Sequence, residues 1–303
     1  DERQFVSELI GLADDPCFVF LSGDLGFGSF EDLRGKLGDR FLNAGVAEQN
    51  MVSVSAGLAR GGFSPWVYSI GPFLYARALE QIRNDVVFHG LNVTLVGNGG
   101  GLGYGVMGPT HLSFDDYGIL TAIGELEIFL PSFDEDLSQL VKELHKASSP
   151  AYLRLSNVAP TPSGFVAPAF KAWRCVMSGN KGVLVTAGAL VSDYLNFYTG
   201  VGPEKRPEIW VPGVLPLSKN ALPPELKASI RDQQALMVCE EHAWGGGIGM
   251  QLLAELARRS IPVDRLMWRG VGKAVHTHYG SRGYLLDQLG ISPAATQNLL
   301  SNP

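Results

Sequence analysis

Residues 40–70 read "RFLNAGVAEQNMVSVSAGLARGGFSPWVYSI", and they contain the alternation on which the fold prediction depends. Residues 47–60 have the length of a helix and are rich in small and apolar side chains, whereas "SPWVYSI" is typical of a buried strand. The runs "CFVFLSG", "NVTLVGN", "LEIFLPS" and "AYLRLS" alternate with helical stretches in the same way. Near-continuous apolar strands joined by helices predict a mostly parallel, doubly wound α/β sheet.

The alternation stops at a proline-rich stretch and then restarts. Residues 157–173, "NVAPTPSGFVAPAFKAW", hold three prolines and no helical period. Beyond them, "KGVLVTAGAL", "RPEIWVPGVLPL", "QALMVCEEHAW" and "VDRLMWRGVG" are typical of strands, and "GGGIGMQLLAELARR" of a helix. We predict a first domain over residues 1–158, a linker over 159–175 and a smaller second α/β domain over 176–303.

Composition excludes several classes of function. The 303-residue chain has a formal net charge of -6 and no basic run, which argues against a nucleic-acid or anionic-membrane surface. Its three cysteines are far apart, so neither a disulfide framework nor a zinc site is predicted. No signal peptide is visible and no apolar stretch reaches the roughly 18 residues of a membrane span. We expect a cytoplasmic protein, although a start at Asp1 is compatible with removal of a short leader.

Glu48 has two interpretations from its local sequence. A carboxylate in the first turn of a helix is stabilised by the helix dipole, typically by about 0.3–1 kcal/mol, and this ordinary interpretation is favoured locally. Its neighbours in "AGVAEQNMVSVSAGLA" are uncharged and mostly apolar, however, so the carboxylate is expected to meet little water. A carboxylate in such surroundings is typical of a functional acid.

The stretch "GNGGGLGYGVMGPTH", residues 97–111, follows a predicted strand and contains a formal G-x-G-x-x-G. Pro109 comes directly after the third of these glycines, whereas a dinucleotide-binding motif must open a helix there. The stretch is better interpreted as a mobile loop at the carboxyl edge of the sheet, where α/β proteins bind ligands. It presents His111, a candidate general acid or base.

Three further stretches contain candidate residues. Phe73 and Arg77 lie near the start of the helical stretch at 73–90, where an ordinary amphipathic face is the simpler interpretation. Asp24 and Leu25 end the first strand in "SGDLGFGSF". "CEEHAWGGGIG" (239–249) ends a later strand, and a tight turn is favoured there. Together these patterns place Glu48, Phe73 and His111 after successive strands of one sheet.

The motifs "RFLNAGVAEQN", "SIGPFLYARALEQIRNDV", "GLGYGVMGPTH" and "EEHAWGGGIG", in this order, resemble the pyrimidine-binding and C-terminal domains of the transketolase family. That family depends on thiamine diphosphate and includes 1-deoxyxylulose-5-phosphate synthase. The resemblance covers nearly the whole chain and is strongest over residues 40–116. Members of full length also carry an N-terminal domain whose GDG…N motif holds Mg²⁺ and the diphosphate, and no GDG occurs here.

The resemblance therefore implies the C-terminal subunit of a split transketolase. A partner subunit with the GDG…N motif would bind most of the cofactor and the Mg²⁺, and no metal ligand is predicted in this chain. An α2β2 heterotetramer is expected by analogy with the beta subunits of 2-oxo-acid dehydrogenases. Small sugar or keto substrates are implied, with no nucleic acid and no membrane as partner.

The resemblance also assigns roles position by position. Glu48 matches the glutamate that hydrogen-bonds the aminopyrimidine and promotes its imino form, and Phe73 matches the ring that packs on that pyrimidine. Arg77 matches an arginine near the pyrimidine or the subunit interface. His111 matches the histidine of "GPTH" that contacts a substrate oxygen. Asp24 and Leu25 match the pair that approaches the thiazolium.

The expected reaction is the transfer of a two-carbon ketol unit from a ketose to an aldehyde. Its rivals are a deoxyxylulose-phosphate-synthase-like or 2-oxo-acid-decarboxylating subunit and a non-catalytic assembly subunit. Met107, Asn157 and Gly99 stand where central transketolases carry an aspartate, an arginine and a histidine for substrate recognition, and Arg154 is at most a partial substitute. Losing the arginine weakens phosphate recognition, so an unusual, unphosphorylated acceptor in a specialised pathway is our hypothesis.

Overall fold

The computed structural model describes residues 2–233 and 235–299, and these residues form two sheets with helices packed on them. The first sheet comes mainly from the first half of the chain and the second from the rest. We call them, with their helices, the first and second units. Both sheets are mostly parallel, so the predicted mixed α/β fold with two doubly wound sheets is confirmed.

The first sheet has the strand order β10-β5-β6-β4-β3-β1-β2 within the described residues. Its strands are β1 (Phe18–Ser22), β2 (Phe41–Asn43), β3 (Ser64–Ile70), β4 (Thr94–Asn98), β5 (Glu127–Phe129), β6 (Ala151–Arg154) and β10 (Val214–Leu215). Every residue of β1, β4 and β6 is buried, as expected for strands covered by helices on both faces. The helices of this unit are α1 (Glu2–Ile10), α2 (Glu31–Leu37), α3 (Glu48–Arg60), α4 (Gly71–Tyr75), α5 (Leu79–Gln81), α6 (Asp116–Thr121) and α7 (Asp134–Lys146).

The second sheet has the order β12-β11-β8-β9-β7. Its strands are β7 (Trp173–Met177), β8 (Val183–Val185), β9 (Glu208–Pro212), β11 (Ala235–Ala243) and β12 (Arg265–Val271). The helices around it are α8 (Ala189–Phe197), α9 (Pro224–Gln233), α10 (Ile248–Arg258), α11 (Arg282–Gln288) and α12 (Pro293–Thr296). Its strands are parallel except β7, which runs antiparallel to β9.

Three local features differ from the sequence-based expectations. The second sheet begins with β7 at Trp173, inside the range predicted as linker. Strand β10 follows β9 but pairs antiparallel with β5, so the second half of the chain supplies one edge of the first sheet. The helical stretch at 73–90 is broken: α4 ends at Tyr75, α5 is a short turn, and residues 82–87 form a π-helix.

The two units share an apolar core. One buried cluster joins Leu95 and Tyr117 of the first unit to Val185, Trp210 and Leu236 of the second. Because burial of apolar surface dominates folding energetics, this shared cluster fixes the two units against each other. In the part of the chain that the structure describes, no helix combines the length and the apolar character needed to cross a bilayer.

Candidate active site

Glu48 is the first residue of α3 and only 2% of it is exposed. Its neighbours Ala44 to Ala47 form the loop after β2, and the end of β1 passes alongside. A β-carbon at Gly23, directly after β1, would lie 3.8 Å from Cγ of Glu48, so this backbone passes within van der Waals distance of the Glu48 side chain. The carboxylate is thus buried where β1 and α3 meet, at the carboxyl edge of the first sheet.

The Glu48 carboxylate binds one guanidinium group. Arg77 Nη1 donates to both carboxylate oxygens at 2.8 Å. The Arg77 guanidinium also lies 4.4 Å above the centre of the Phe73 ring, and 43% of the Arg77 side chain is exposed. The break in the helix after Tyr75 separates Phe73, on α4, from Arg77, on the connection to α5.

His111 extends this row. Its imidazole packs edge to face against the Phe73 ring, with the two ring centres 5.0 Å apart. Nδ1 of His111 lies 3.0 Å from the Thr110 hydroxyl oxygen. The structure therefore brings Glu48, Arg77, Phe73 and His111 into one continuous set of contacts, although they come from three separate segments.

Asp24 and Leu25 lie at the same edge of the sheet, in contacts of their own. Asp24 takes a left-handed backbone conformation with φ of 58°. Its amide donates to Oδ1 of Asn43 at 3.0 Å, and Nδ2 of Asn43 donates to its carboxylate at 3.1 Å. The Leu25 carbonyl accepts from the Ser22 hydroxyl at 3.0 Å, and Leu25 lines a pocket of about 40 Å³. These contacts fix the turn that follows β1.

The glycine-rich loop at 99–111 packs closely against the second unit. The Leu102 amide donates to Oε2 of Glu241 at 2.8 Å, and the Gly280 amide donates to the Gly105 carbonyl at 3.2 Å. A β-carbon at Gly108 would lie 1.9 Å from Cε1 of Tyr279. Close approach of the second unit thus accounts for Gly101, Gly105 and Gly108. The loop, predicted to be mobile, is bound at three points.

The stretch "EEHA" at the end of β11 joins the two units. The Glu240 carboxylate accepts from the Tyr117 hydroxyl at 2.7 Å, and the Ala243 amide donates to the Phe114 carbonyl at 2.5 Å. His242 stacks on Tyr117 with ring centres 3.6 Å apart. The sequence favours a simple tight turn after this strand, and residues 244–247 do form a turn that leads into α10. The end of β11 before that turn adds a strip of consecutive contacts between the units.

Glu240 is the most completely hydrogen-bonded carboxylate of this strip. Besides Tyr117, it accepts from the backbone amides of Ile248 (2.7 Å) and Gly249 (3.1 Å) at the start of α10 and from Trp268 Nε1 (2.8 Å). Burial raises its pKa, while these donors oppose that rise. Its hydrogen bonds link β11 to α6, α10 and β12.

The substituted recognition positions have clear surroundings. Arg154 is 5% exposed; its Nε donates to Asp116 at 2.8 Å and its Nη2 to the Ser113 carbonyl at 2.8 Å. Arg154 therefore does not serve as a substitute phosphate ligand, because its guanidinium is buried and paired with Asp116 and the Ser113 carbonyl. A β-carbon at Gly99 would lie 2.1 Å from the Tyr104 ring, so Tyr104 fills the space beside position 99. Asn157 is exposed and Met107 is half-exposed.

Sequence reasoning missed the contribution of the second unit to this edge. Tyr279, Gly280 and Glu241 meet a loop that lies more than 130 residues earlier in the chain. The adjacent "HTHYGSRG" combines aromatic, polar and glycine residues, which is the one local signal that could have indicated a contact loop. Within residues 2–233 and 235–299, no group of three or more His, Cys, Asp or Glu side chains could hold a metal ion.

Comparison with known proteins identifies the family of this chain. The family model described as "Transketolase, pyrimidine binding domain" matches residues 9–159. A subunit of the apulose-4-phosphate transketolase of Actinobacillus succinogenes is 31% identical over 261 residues, 84% of this chain and 81% of the relative. The protein of the same name from Phocaeicola vulgatus is 27% identical, over 97% of this chain and 96% of its own.

A solved structure shows the same fold. It is described as "Split gene transketolase, inactive beta4 tetramer", and it covers 98% of this chain and 95% of its own with a TM-score of 0.79 and 24% identity. The chain belongs to the transketolase family, and the two relatives named above are subunits of transketolases. It is a subunit of a thiamine-diphosphate-dependent transferase of the transketolase type.

Proposed function

We propose that Glu48, Arg77 and Phe73 form the site at which this subunit binds the aminopyrimidine of thiamine diphosphate. The arrangement of Arg77 is the observation that carries the proposal. A planar nitrogen group already pairs with both oxygens of Glu48 and lies on the face of Phe73. The carboxylate and the ring are therefore spaced to hold a flat nitrogen heterocycle in the same way.

Arg77 acts as an internal stand-in for the pyrimidine in this interpretation. Its side chain is 43% exposed, so it can leave the pair at moderate cost. It remains a residue of the cofactor site, and its position beside the Phe73 ring places it at the edge of the bound pyrimidine. When bound, the cofactor supplies a nucleophilic thiazolium carbon that cleaves the bond next to a ketose carbonyl.

The protein residues orient and move protons around that chemistry. Glu48 holds a proton shared with a ring nitrogen in a nearly dry site. Phe73 fixes the ring plane by stacking. His111, whose ring contacts that of Phe73, is placed to donate a hydrogen bond to a substrate oxygen or to accept one from it. Asp24 and Leu25, held by Asn43 and Ser22, shape the wall on the other side.

The rest of the site belongs to a partner in this proposal. The relatives that share most of this chain are named as subunits of a transketolase, which supports a heteromeric enzyme. The partner carries the GDG…N motif and holds Mg²⁺ and the diphosphate, and we propose an α2β2 assembly. The first unit is the pyrimidine-binding domain and the second the C-terminal domain, with the protein acting in the cytoplasm.

Experiments with different substrates can identify the class of the acceptor and of the donor. The relatives' name includes a sugar phosphate, whereas this chain has Gly99 and Asn157 at two recognition positions and uses Arg154 internally. We therefore expect the complex reconstituted with its partner to transfer ketol units preferentially to unphosphorylated aldehydes. Turnover that favours xylulose 5-phosphate with ribose 5-phosphate would contradict this preference. Release of carbon dioxide from pyruvate would support the decarboxylating alternative, and a complex with neither reaction would support an assembly role.

A further inference from the structure

Tyr279 lies on the connection between β12 and α11, and its ring rests directly on the backbone of the first unit. A β-carbon at Gly108 would lie 1.9 Å from Cε1 and 2.6 Å from Cδ1 of Tyr279, so the ring occupies the space that any other side chain would need. Tyr279 is still 62% exposed. Its contact with Gly108 is therefore not part of a buried core.

Gly108 is the residue from which the turn carrying His111 starts. Its φ of 82° and ψ of -175° lie in a region that other residues rarely adopt. The next three residues, Pro109 to His111, form a single 3₁₀ turn, and the His111 amide donates to the Gly108 carbonyl at 3.0 Å. A displacement of Gly108 is thus passed through a short, stiff segment to His111.

The turn that bears Tyr279 is itself firmly held. The next residue, Gly280, donates its amide to the Gly105 carbonyl at 3.2 Å. Arg282, at the start of α11, donates to the carboxylates of Glu241 and Asp193, the latter at 2.6 Å. Glu241 in turn accepts from the Leu102 amide. The second unit therefore meets the loop at its beginning, middle and end, and of these three contacts the one made by Tyr279 is nearest to His111 along the sequence.

We propose that Tyr279 is a positioning residue for His111. The Tyr279 ring packs against Gly108 and thereby fixes the turn that carries His111. The aromatic ring, rather than the hydroxyl, performs this task, because ring carbons make the contact. Only the expected effect on kcat rests on the proposed function. The placement of the His111 imidazole against Phe73 can be followed without any reaction.

The kinetic test compares Tyr279→Ala, Tyr279→Phe and Phe197→Ala in the reconstituted complex. Phe197 is a partly exposed aromatic residue at the end of α8 and serves as the matched control. Misplacement of a reacting group by about 1 Å can cost about 100-fold in rate, so Tyr279→Ala should lower kcat by about tenfold or more. Because the ring is kept, Tyr279→Phe should stay within about twofold of the wild type, as should the control. The KM for the acceptor should change less than kcat.

The second readout is the Cε1–H resonance of His111 in the histidine-labelled chain, assigned with His111→Gln among the six histidines. We expect Tyr279→Ala to shift this resonance and Tyr279→Phe to leave it in place. An unshifted resonance in Tyr279→Ala, an unchanged kcat, or equal losses in the Ala and Phe variants would each overturn the proposal. If the wild-type complex shows no ketol transfer, the proposed function fails and the resonance alone decides the role of Tyr279.

Discussion

Glu48 and Glu240 are two buried glutamates beside the N-termini of helices, yet the protein treats them differently. Glu240 is 1% exposed and accepts four hydrogen bonds, from two backbone amides, a tyrosine and a tryptophan. Glu48 is 2% exposed. Within the part of the chain that the structure describes, its carboxylate accepts hydrogen bonds from Arg77, whose side chain is half-exposed. Burial alone therefore does not distinguish the carboxylate that we propose acts on the cofactor. The number of its hydrogen-bond partners and their exposure do.

The largest expected effect separates the two glutamates by activity. Glu48→Gln keeps the shape of the side chain but removes its ability to share a proton, so turnover of the reconstituted complex should fall by about 100-fold or more. Its free energy of unfolding, measured by urea titration, should stay within about 1 kcal/mol of the wild type. Glu80→Gln, at an exposed carboxylate on α5, is the control. Near-normal turnover of Glu48→Gln would remove Glu48 from the mechanism.

The converse prediction concerns stability. Glu240→Gln replaces an acceptor-only group with one that also carries N–H donors, so some of its four donors lose their partner. A buried network broken in this way typically costs about 3 kcal/mol. Urea unfolding should show that loss, while kcat of the folded complex stays within about twofold. Glu255→Gln on α10, whose partners Arg258 and Arg259 are more exposed, should cost far less. An equal cost for both variants would contradict the comparison.

The pH dependence of stability tests a second buried residue, His242, in the strip of contacts that contains Glu240. Burial lowers the pKa of His242 to about 4, although the nearby Asp116 favours the charged form. Nδ1–H of its neutral ring donates to the Ala243 carbonyl (2.7 Å) and Nε2 accepts from the Gly118 amide (3.1 Å). Since the unfolded histidine titrates near 6.5, the unfolded state binds the extra proton first, and stability falls as the pH drops from about 6.5 towards 4.

Between about pH 6.5 and 5 this histidine should account for a loss of about 2 kcal/mol. The measurement is the free energy of unfolding at several pH values for the wild type, His242→Gln and the exposed control His89→Gln. The slope should flatten in His242→Gln alone. Parallel curves for all three proteins would show that His242 is not held neutral.

The smallest expected effect tests Arg77, the half-exposed partner of Glu48. Arg77→Ala removes the group that, in our proposal, leaves Glu48 when the pyrimidine binds, and a half-exposed ion pair of this kind is worth about 1 kcal/mol at most. The Kd for thiamine diphosphate, measured by calorimetry on the reconstituted complex, should therefore fall by up to about fivefold. Arg83→Ala, which removes an exposed arginine nearby, should leave it unchanged. A higher Kd would mean that Arg77 binds the cofactor rather than standing in for it.

Local patterns were enough to predict most of the fold. The buried runs of β1, β3, β4 and β6 are visible because each strand is covered on both faces and has a continuous apolar sequence. Strand β7 was not predicted, and β10 was predicted only as part of the strand at 206–217. Their antiparallel pairing was missed because it depends on partners far away in the sequence. The π-helix at 82–87 was missed for the related reason that it is set by packing rather than by composition.

The candidate site was predictable to a similar degree. Glu48, Phe73 and His111 follow successive strands of a parallel sheet, and such positions converge at one edge whatever the details of packing. The pairing of Arg77 with Glu48 and the contact of Tyr279 with Gly108 depend on side-chain geometry across loops. A sequence motif carries no information about which of its glycines faces another unit and which faces a ligand.

The pairing of β10 with β5 has a consequence for how this protein can be divided and recombined. Val214 pairs with Phe129 and Leu215 with Ile128, and the Leu130 amide donates to the Gly213 carbonyl at 2.8 Å. A chain cut between the two units would leave β5 as a bare edge, open to pairing with other chains. Chimeras between relatives should therefore exchange both units together, since the boundary seen in the sequence is not a boundary at which the sheet can be severed.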